Sequence, residues 1–381
     1  MPINNRITNW LEDHWVAPAY SGSVLAGISL CFFGAAVNTM AGWLYVLSGV
    51  SFALILIAAV LPARSLLGLK VRRYSIQPVS AGEQLTIELE IENHTTRPKT
   101  LLQVQDLLPF VLGQPVQALI EIIPPHKSYR WIYCQLAQRR GVYRWHTVQL
   151  RTATPLGLFW CRRSHETPTT AIVYPVVLPL TNCPLLDEIG QEERDYAYSH
   201  RYSQRATAGL TRSLRPYRVG DPLRLVHWRT SARYGELRVR ELEVMKSGQE
   251  IVICLDSSGW QEADVFEQAV TAAASLYFYA RQQQLRVKLW TALTGLVQGE
   301  RIVLEVLAAT DIGEEVSTIP NCPLLWLSQN PLSLNTLPTG SRWILWQSSQ
   351  AEIVVNQDYP GLVIQNEQPL QLQLQRKGSA N

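Results

Sequence analysis

From Val16 to Ala63 the chain runs for forty-eight residues without a formally charged side chain. Few folds accommodate such a run. In lipid every backbone amide must be satisfied internally, which leaves helices and closed barrels, and about 20 apolar residues in helical form cross a hydrocarbon core roughly 30 Å thick. The run is interrupted once, by "VNTMAG" at 37–42. Each half suits one crossing, so the reading is a hairpin of two transmembrane helices, 17–37 and 42–62, after a short N-terminal piece, 1–16. A cleaved signal peptide fits less well, because no basic segment precedes a single short apolar core and a second span follows directly. A hairpin buried inside a soluble protein is the competing reading. Arg64, Lys70, Arg72 and Arg73 crowd the exit of the second span while the turn carries no charge. By the positive-inside rule both ends, and the bulk of the chain past residue 64, face the cytoplasm. Trp10, Trp15 and Trp43 stand where interfacial aromatics are expected.

Past Lys70 the hydrophobic period changes. "QLTIELEIEN" alternates Leu85, Ile87, Leu89 and Ile91 against Thr86, Glu88, Glu90 and Glu92, the pattern of a half-buried strand. "LLQVQDL", "YRWIYCQLA", "VYRWHTVQL" and "TAIVYPVV" are further strand-like runs between turn residues. Residues 71–178 are therefore expected to form an antiparallel β-sandwich of the Ig-like type. A connecting segment, 179–211, passes from the acidic "DEIGQEERD" to the basic, aromatic "YAYSHRYSQRATAG". From 249 to 372 the grammar is α/β. "EIVICLDSSG" reads as a strand and "DVFEQAVTAAASLYFYARQQ" as a helix with Phe266, Val270, Ala273 and Tyr277 on one face. "RVKLWTAL" is a strand again, and "RIVLEVLAAT", "PLLWLSQ" and "RWILWQS" continue the unit. Residues 373–381 read as a flexible tail.

Between these regions, in 212–248, lies the densest charge. Ser213 to Glu243 holds seven arginines and no lysine. Asp221 as N-cap, Pro222 at the first helical position and Gly235 as the stop mark a helix, with Leu225, Trp228 and Ala232 on an apolar stripe and Arg229 and Arg233 together on another face. Like charges four apart repel by a few tenths of a kcal/mol, so an acidic counterpart is expected. Arg238 and Arg240 share one side of a following strand. Arginine favours planar bidentate partners, carboxylate or phosphate. Two readings stand: internal pairing with Asp221, Glu236, Glu241, Glu243 and the acidic segment, or a cationic surface for a protein, nucleic acid or anionic lipid.

The set Ser213, Leu214, Arg215, Tyr217, Gly220, Asp221, Arg224, Trp228, Ser231, Ala232 and Arg233 resembles the signature of the bacterial domain-of-unknown-function family 58 (DUF58). "RGVYRWHTVQLRTATPLGLFW" (140–160) and "VYPVVLPL" (173–180) are similar to landmarks of the same family, although Thr154 stands where that family would have an aspartate. The resemblance implies an N-terminal membrane hairpin, a β-rich middle domain and a C-terminal von Willebrand factor A-like domain of Rossmann type. It also implies a multi-pass protein of the bacterial plasma (inner) membrane. The implied partners are MoxR-type AAA ATPases or other von Willebrand factor A-like proteins, in assembly or envelope-related processes.

Chemical signatures are sparse. "DSSGW" is similar to the start of an adhesion-type Mg²⁺ site, D-x-S-x-S. Asp256 and Ser258 fit it, but Trp260 replaces the second serine, and Ser328 and Gln329 end a later strand where an aspartate is expected. No cofactor is expected, and Mg²⁺ is the one metal the motif allows. The sequence has no phosphate loop, GxSxG elbow or HExxH, and its six scattered cysteines form no CxxC pair, as expected of reduced thiols. The expectation is therefore not an enzyme but a membrane-anchored, cytoplasm-facing scaffold or adaptor that binds a protein. Its family-signature binding residues are Arg215, Tyr217, Gly220, Asp221, Arg224, Trp228, Arg229, Ala232, Arg233, Arg238 and Arg240. The alternative is a cationic module for nucleic acid or anionic lipid, with nucleic acid disfavoured by a net charge of only +3.

Overall fold

A computed structural model of the chain describes residues 10–187, 211–218, 221, 223–242, 250–314, 319–347, 360–365 and 368–376. It is multidomain, with two apolar N-terminal helices and several β-sheets, and divides into two compact units, Met1–Tyr174 and Pro175–Asn381. That division falls a few residues before the end of the sandwich as read from the sequence.

In the first unit, α1 (Tyr20–Thr39) and α2 (Gly42–Leu66) form an antiparallel hairpin turning on Met40, whose φ of 52° is left-handed. Both helices are long and apolar enough to cross a membrane. On α1 the buried residues are Gly22, Ser29 and Ala36. Ser29 and Ala36, seven residues apart, make a seam of small side chains that lets the two helices approach closely, whereas Gly22 packs against the Leu158 carbonyl. The Ser29 hydroxyl donates to the Ser48 carbonyl across that seam (3.4 Å). The first helix starts and stops later than the sequence reading placed it, and the second starts at Gly42 as read but runs further. Ala17–Pro18 form strand β1 instead, and α2 continues through Pro62 to Leu66, which puts Arg64 in the last turn, where a cation complements the helix dipole. Buried Lys99 acts at the same end: its ammonium donates to the Leu67 carbonyl (2.8 Å). Burial, aided by Arg97, lowers its pKa.

The strands that follow are β2 (Leu69–Arg73), β3 (Val79–Ser80), β4 (Gln84–Asn93), β5 (Lys99–Asp106), β6 (Val116–Ile123), β7 (Ser128–Leu136), β8 (Gly141–Thr152) and β9 (Phe159–Tyr174). One sheet has the order β1-β9-β8-β5-β6, with β3 beside β9, and the other β2-β4-β7. A single core lies between them. Leu85, Ile87, Leu89 and Ile91 of β4 meet Leu102, Val104, Ile120, Val148 and Leu150 of the facing sheet, all buried.

One charged pair sits inside that core. The Arg73 guanidinium donates to both oxygens of Asp106 (2.6 and 2.9 Å), with side-chain exposures of 2% and 0%. The Tyr133 hydroxyl (2.6 Å) and the Trp145 indole N–H (3.2 Å) donate to the same carboxylate, and the guanidinium lies 5.1 Å from the centre of the Trp145 ring. Burial, then the Asp106 charge, pushes the Tyr133 phenol far above its ordinary pKa. Arg73 is thus a core residue and not a flanking cation, and Arg72 pairs with Glu92 (3.1 Å). Arg64, Lys70 and Arg72 are exposed.

The second unit contains β10 (Thr211–Pro216), α3 (Trp228–Tyr234), β11 (Arg238–Leu242), β12 (Glu250–Leu255), α4 (Ala263–Gln282), β13 (Arg286–Thr291) and β14 (Gly295–Val297). Then come α5 (Glu300–Ala309), β15 (Leu324–Ser328), β16 (Arg342–Trp346), β17 (Gly361–Ile364) and α6 (Leu370–Leu374). The main sheet has the order β14-β13-β12-β15-β16-β17, with β14 antiparallel to β13 and the other neighbours parallel. "RIVLEVLAAT" is therefore helix α5. Ile251, Ile253 and Leu255 pack under α4 while Val252 and Cys254 join Trp290 and Trp326 on the other face. The sheet is buried on both sides, as parallel sheets are.

Removing one half of the Arg73–Asp106 pair strands a buried charge, whereas replacing both with apolar residues does not. Asp106→Ala is expected to cost about 3–5 kcal/mol of unfolding free energy and Arg73→Met/Asp106→Leu far less, read from denaturant unfolding of the detergent-solubilised protein.

Candidate functional site

Two places in the second unit hold the residues singled out in the sequence. The first is the arginine segment, which folds as a β10–β11 hairpin with a 3-10 turn, Leu223–Leu225, and α3 between its strands. Val226 bridges to Val239, both buried, the His227 N–H donates to the Arg238 carbonyl (2.8 Å), and the Tyr217 N–H to that of Leu237 (2.8 Å). Helix α3 is shorter than predicted. Its cap is His227, whose Nδ1 accepts the Thr230 N–H (3.2 Å), and Gly235 ends it with a left-handed φ of 70°. Ser231 faces inward, its hydroxyl donating to the His227 carbonyl and accepting the Arg238 N–H.

Asp221 is not the cap. Its carboxylate takes two hydrogen bonds from Arg215, both 2.7 Å, and one from the Arg218 N–H (2.8 Å). Those donors, the Arg215 bonds first, hold its pKa down to about 2. Nor is there an apolar stripe: Trp228 is 63% exposed and Ala232 is exposed too. Arg229 and Arg233 point to solvent, and neither pairs with a carboxylate among the described residues. Tyr234 is exposed, with the Arg238 guanidinium 4.4 Å from its ring centre. Gly220 lies outside the described residues. Arg224 falls in the 3-10 turn and Arg240 on β11, with their side chains outside the description.

The second place is the C-terminal edge of the main sheet, between β12 and β15, where the strand order reverses. Open α/β sheets leave a crevice there. Asp256 follows β12 and is buried. Its Oδ1 accepts from the Ser258 N–H (3.0 Å) and hydroxyl (2.6 Å), and its Oδ2 from the Ser328 hydroxyl (2.7 Å). The turn closes at Gly259, whose φ of 75° suits a residue without Cβ. The Trp260 indole N–H donates to the Asp256 carbonyl, and its ring packs on Phe266 and Trp346. Gln329 Oε1 accepts the Gln261 N–H (2.9 Å), and the Ser257 hydroxyl donates to Glu314 (3.4 Å).

An adhesion-type Mg²⁺ site fits this arrangement poorly. Hard divalent cations take six or more oxygens. Here both nearby serine hydroxyls donate to the one carboxylate, and a buried indole fills the place of the second serine. Among the described residues no three His, Cys, Asp or Glu side chains gather around a common point. The sequence named Asp256, Ser258 and Ser328 without joining Ser328 to Asp256. The available signal was positional, since both residues stand at the ends of adjacent parallel strands.

Residues 213–301 match the family model described as "Protein of unknown function DUF58", a stretch that holds both places except for Ser328, Gln329 and Glu314. Over 203 residues, 51% of this chain, the sequence is 26% identical to "Uncharacterized protein YeaD" of Bacillus subtilis (strain 168), covering 48% of it. The chain thus spans about half the length of the curated relative it matches. Among solved structures, the CARDB domain of PF1109 from Pyrococcus furiosus is similar over 27% of this chain and 94% of that one, at 10% identity and a TM-score of 0.20. A β-glucosidase from Listeria innocua is similar over 26% of this chain and 16% of that one, at 16% identity and a TM-score of 0.15. Both scores are too low to bear on the fold.

The Arg215–Asp221 pair sets a pH dependence. A carboxyl whose folded pKa lies below its ordinary value near 4 contributes stability at higher pH, lost as pH falls through about 2. Arg215→Ala is expected to return the Asp221 titration toward the ordinary aspartate range, followed by the carboxyl ¹³C shift of selectively labelled protein. At the second place, Asp256→Ala leaves the Ser258 and Ser328 hydroxyls without their acceptor and is expected to cost about 1–3 kcal/mol in thermal unfolding, with wild-type melting unmoved by millimolar Mg²⁺.

Proposed function

We propose that this chain is a membrane-anchored scaffold or adaptor, its bulk facing the cytoplasm, that binds a protein through the outer face of the arginine hairpin. The observation that carries the reading is the solvent-facing set Trp228, Arg229, Arg233 and Tyr234 on one short helix. Tryptophan, tyrosine and arginine are the residues in which binding hot spots are enriched. Two exposed guanidiniums one turn apart repel each other and gain from an acidic surface. Asp221 satisfies Arg215 and leaves Arg229 and Arg233 available.

The same reading takes the two-sheet module as Ig-like and the parallel-sheet unit as von Willebrand factor A-like. The order of β13, β12, β15 and β16 and the placement of Asp256 at the end of β12 support the latter. The resemblance to DUF58 makes a MoxR-type AAA ATPase the partner class to test first, in a bacterial plasma membrane. The uncharged turn at Met40 set against Arg64 and Lys70 supports the cytoplasmic orientation.

Full-length protein purified in mild detergent, with and without ATP, is expected to retain a nucleotide-dependent ATPase. Arg229→Glu/Arg233→Glu is expected to weaken that complex at least tenfold while leaving the melting temperature unchanged. Equal loss of stability and binding would assign the arginines to internal packing. Salt-sensitive retention of oligonucleotides by the same protein would instead favour a phosphate-binding module.

A further inference from the structure

In the first unit the β-sheets are hydrogen-bonded to the apolar hairpin at both of its ends. The Ala19 N–H donates to the Leu158 carbonyl (2.8 Å), the Ser21 hydroxyl to that of Gly157 (3.0 Å), and β1 pairs with β9 through Ala17↔Trp160. Gly22 lies so close to the Leu158 carbonyl that a methyl group there would collide with it. At the other helix, Ser65 and Thr154 hydroxyls meet (3.4 Å), Thr154 reaches the Thr100 carbonyl (3.4 Å), and Thr152 that of Leu101 (3.1 Å). The start of α1 and the end of α2 are thus both fastened to one rim of the two-sheet module, formed by 99–101 and 152–158.

That rim is apolar and exposed. Leu67 is 65%, Leu101 66%, Ile122 52% and Leu156 44% open to solvent, and Ile122 is opposite Thr100 in the register. Leu101 adopts a left-handed φ of 50°, which costs energy for a branched residue. Trp15, before the first helix, and Tyr20, its first residue, are exposed, as are Arg64 in the last turn of the second helix and Lys70 just past it. Aromatic rings with cations nearby are what the headgroup layer favours. Exposed leucines contiguous with the apolar surface of two long helices are covered wherever lipid covers those helices.

We propose that this rim is a second membrane contact: Leu67, Leu101, Ile122 and Leu156 sit at the boundary between headgroups and acyl chains. The two-sheet module lies on the bilayer through them and is not held off it by a linker. The inference rests on the reading that α1 and α2 cross the membrane. It fixes the module's orientation, because Phe110, also apolar and 95% exposed, lies past the other end of β5, whose end at Asp106 is roughly 17 Å from Leu101 at the rise of a strand.

The test uses wild-type protein in vesicles of mixed anionic and zwitterionic phospholipid containing a diazirine-bearing lipid, with adducts mapped by mass spectrometry. Peptides holding Leu101 and Leu156 are expected to be labelled several-fold above the Phe110 peptide and comparably to α2, and Leu101→Asp/Leu156→Asp is expected to abolish the rim labelling while α2 stays labelled. Rim peptides no more labelled than Phe110, with α2 labelled, would overturn the inference and leave the spanning helices intact. Absence of label on α2 itself would overturn the membrane reading beneath it.

Discussion

The Asp106 carboxylate is the point on which the first unit closes. Arg73 comes from β2 and Tyr133 from β7 of one sheet, Trp145 from β8 and Asp106 from β5 of the other, and their donors converge on two oxygens. Apolar packing alone would let two sheets slide by a residue or exchange partners. A buried carboxylate with three side chains donating to it accepts one register, because any slip leaves a charge in the core without its bonds. The cost of bringing the pair out of water is offset only in that arrangement. Since the same sheets receive both ends of the apolar hairpin, the register set at Asp106 also sets where the helices emerge.

The second unit uses polar groups in the same way at smaller scale. Asp256, Ser258 and Ser328 tie the ends of β12 and β15 together at the place where the strand order reverses. Trp260 seals the cluster from the side. The arginine hairpin differs in kind: Val226, Val239 and the backbone bonds around His227 hold it, and Trp228, Arg229, Arg233 and Tyr234 of α3 face solvent. Among the described residues of that segment Arg215 pairs with Asp221, and Arg229 and Arg233 meet no carboxylate, while Glu243 and 188–195 of the acidic segment lie outside the described residues.

Much of the fold was legible because period reports burial. The alternation of β4 located its strand, and the face of α4 marked by Phe266, Val270 and Tyr277 is buried. What escaped was set by pairing between distant segments. β1 looked like the start of a helix because its two residues are apolar and uncharged, and only β9 makes them a strand. Arg73 passed for a flanking cation, although Leu69, Val71 and Arg73 alternate inward together, as do Leu102, Val104 and Asp106. A charge on each of two apolar faces was the available sign of a buried pair. Helical spacing puts Trp228 and Ala232 on one stripe, yet a helix of two turns on a hairpin presents that stripe to solvent.

The pairing of β1 with β9 bears on how the molecule is made. Ser21 and the Gly157 carbonyl it meets are 136 residues apart, and the hairpin of apolar helices leaves the ribosome before any strand beyond β1. Strand β1 must wait, without its β9 partner, until almost the whole of the first unit has been synthesised. Contacts so distant in sequence form late because the loop between them must be closed first. The β1–β9 pairing therefore cannot form until β9 is made, and a chain stalled short of it holds the partners of Ala19, Ser21 and Ser65 but lacks the strand that pairs with β1.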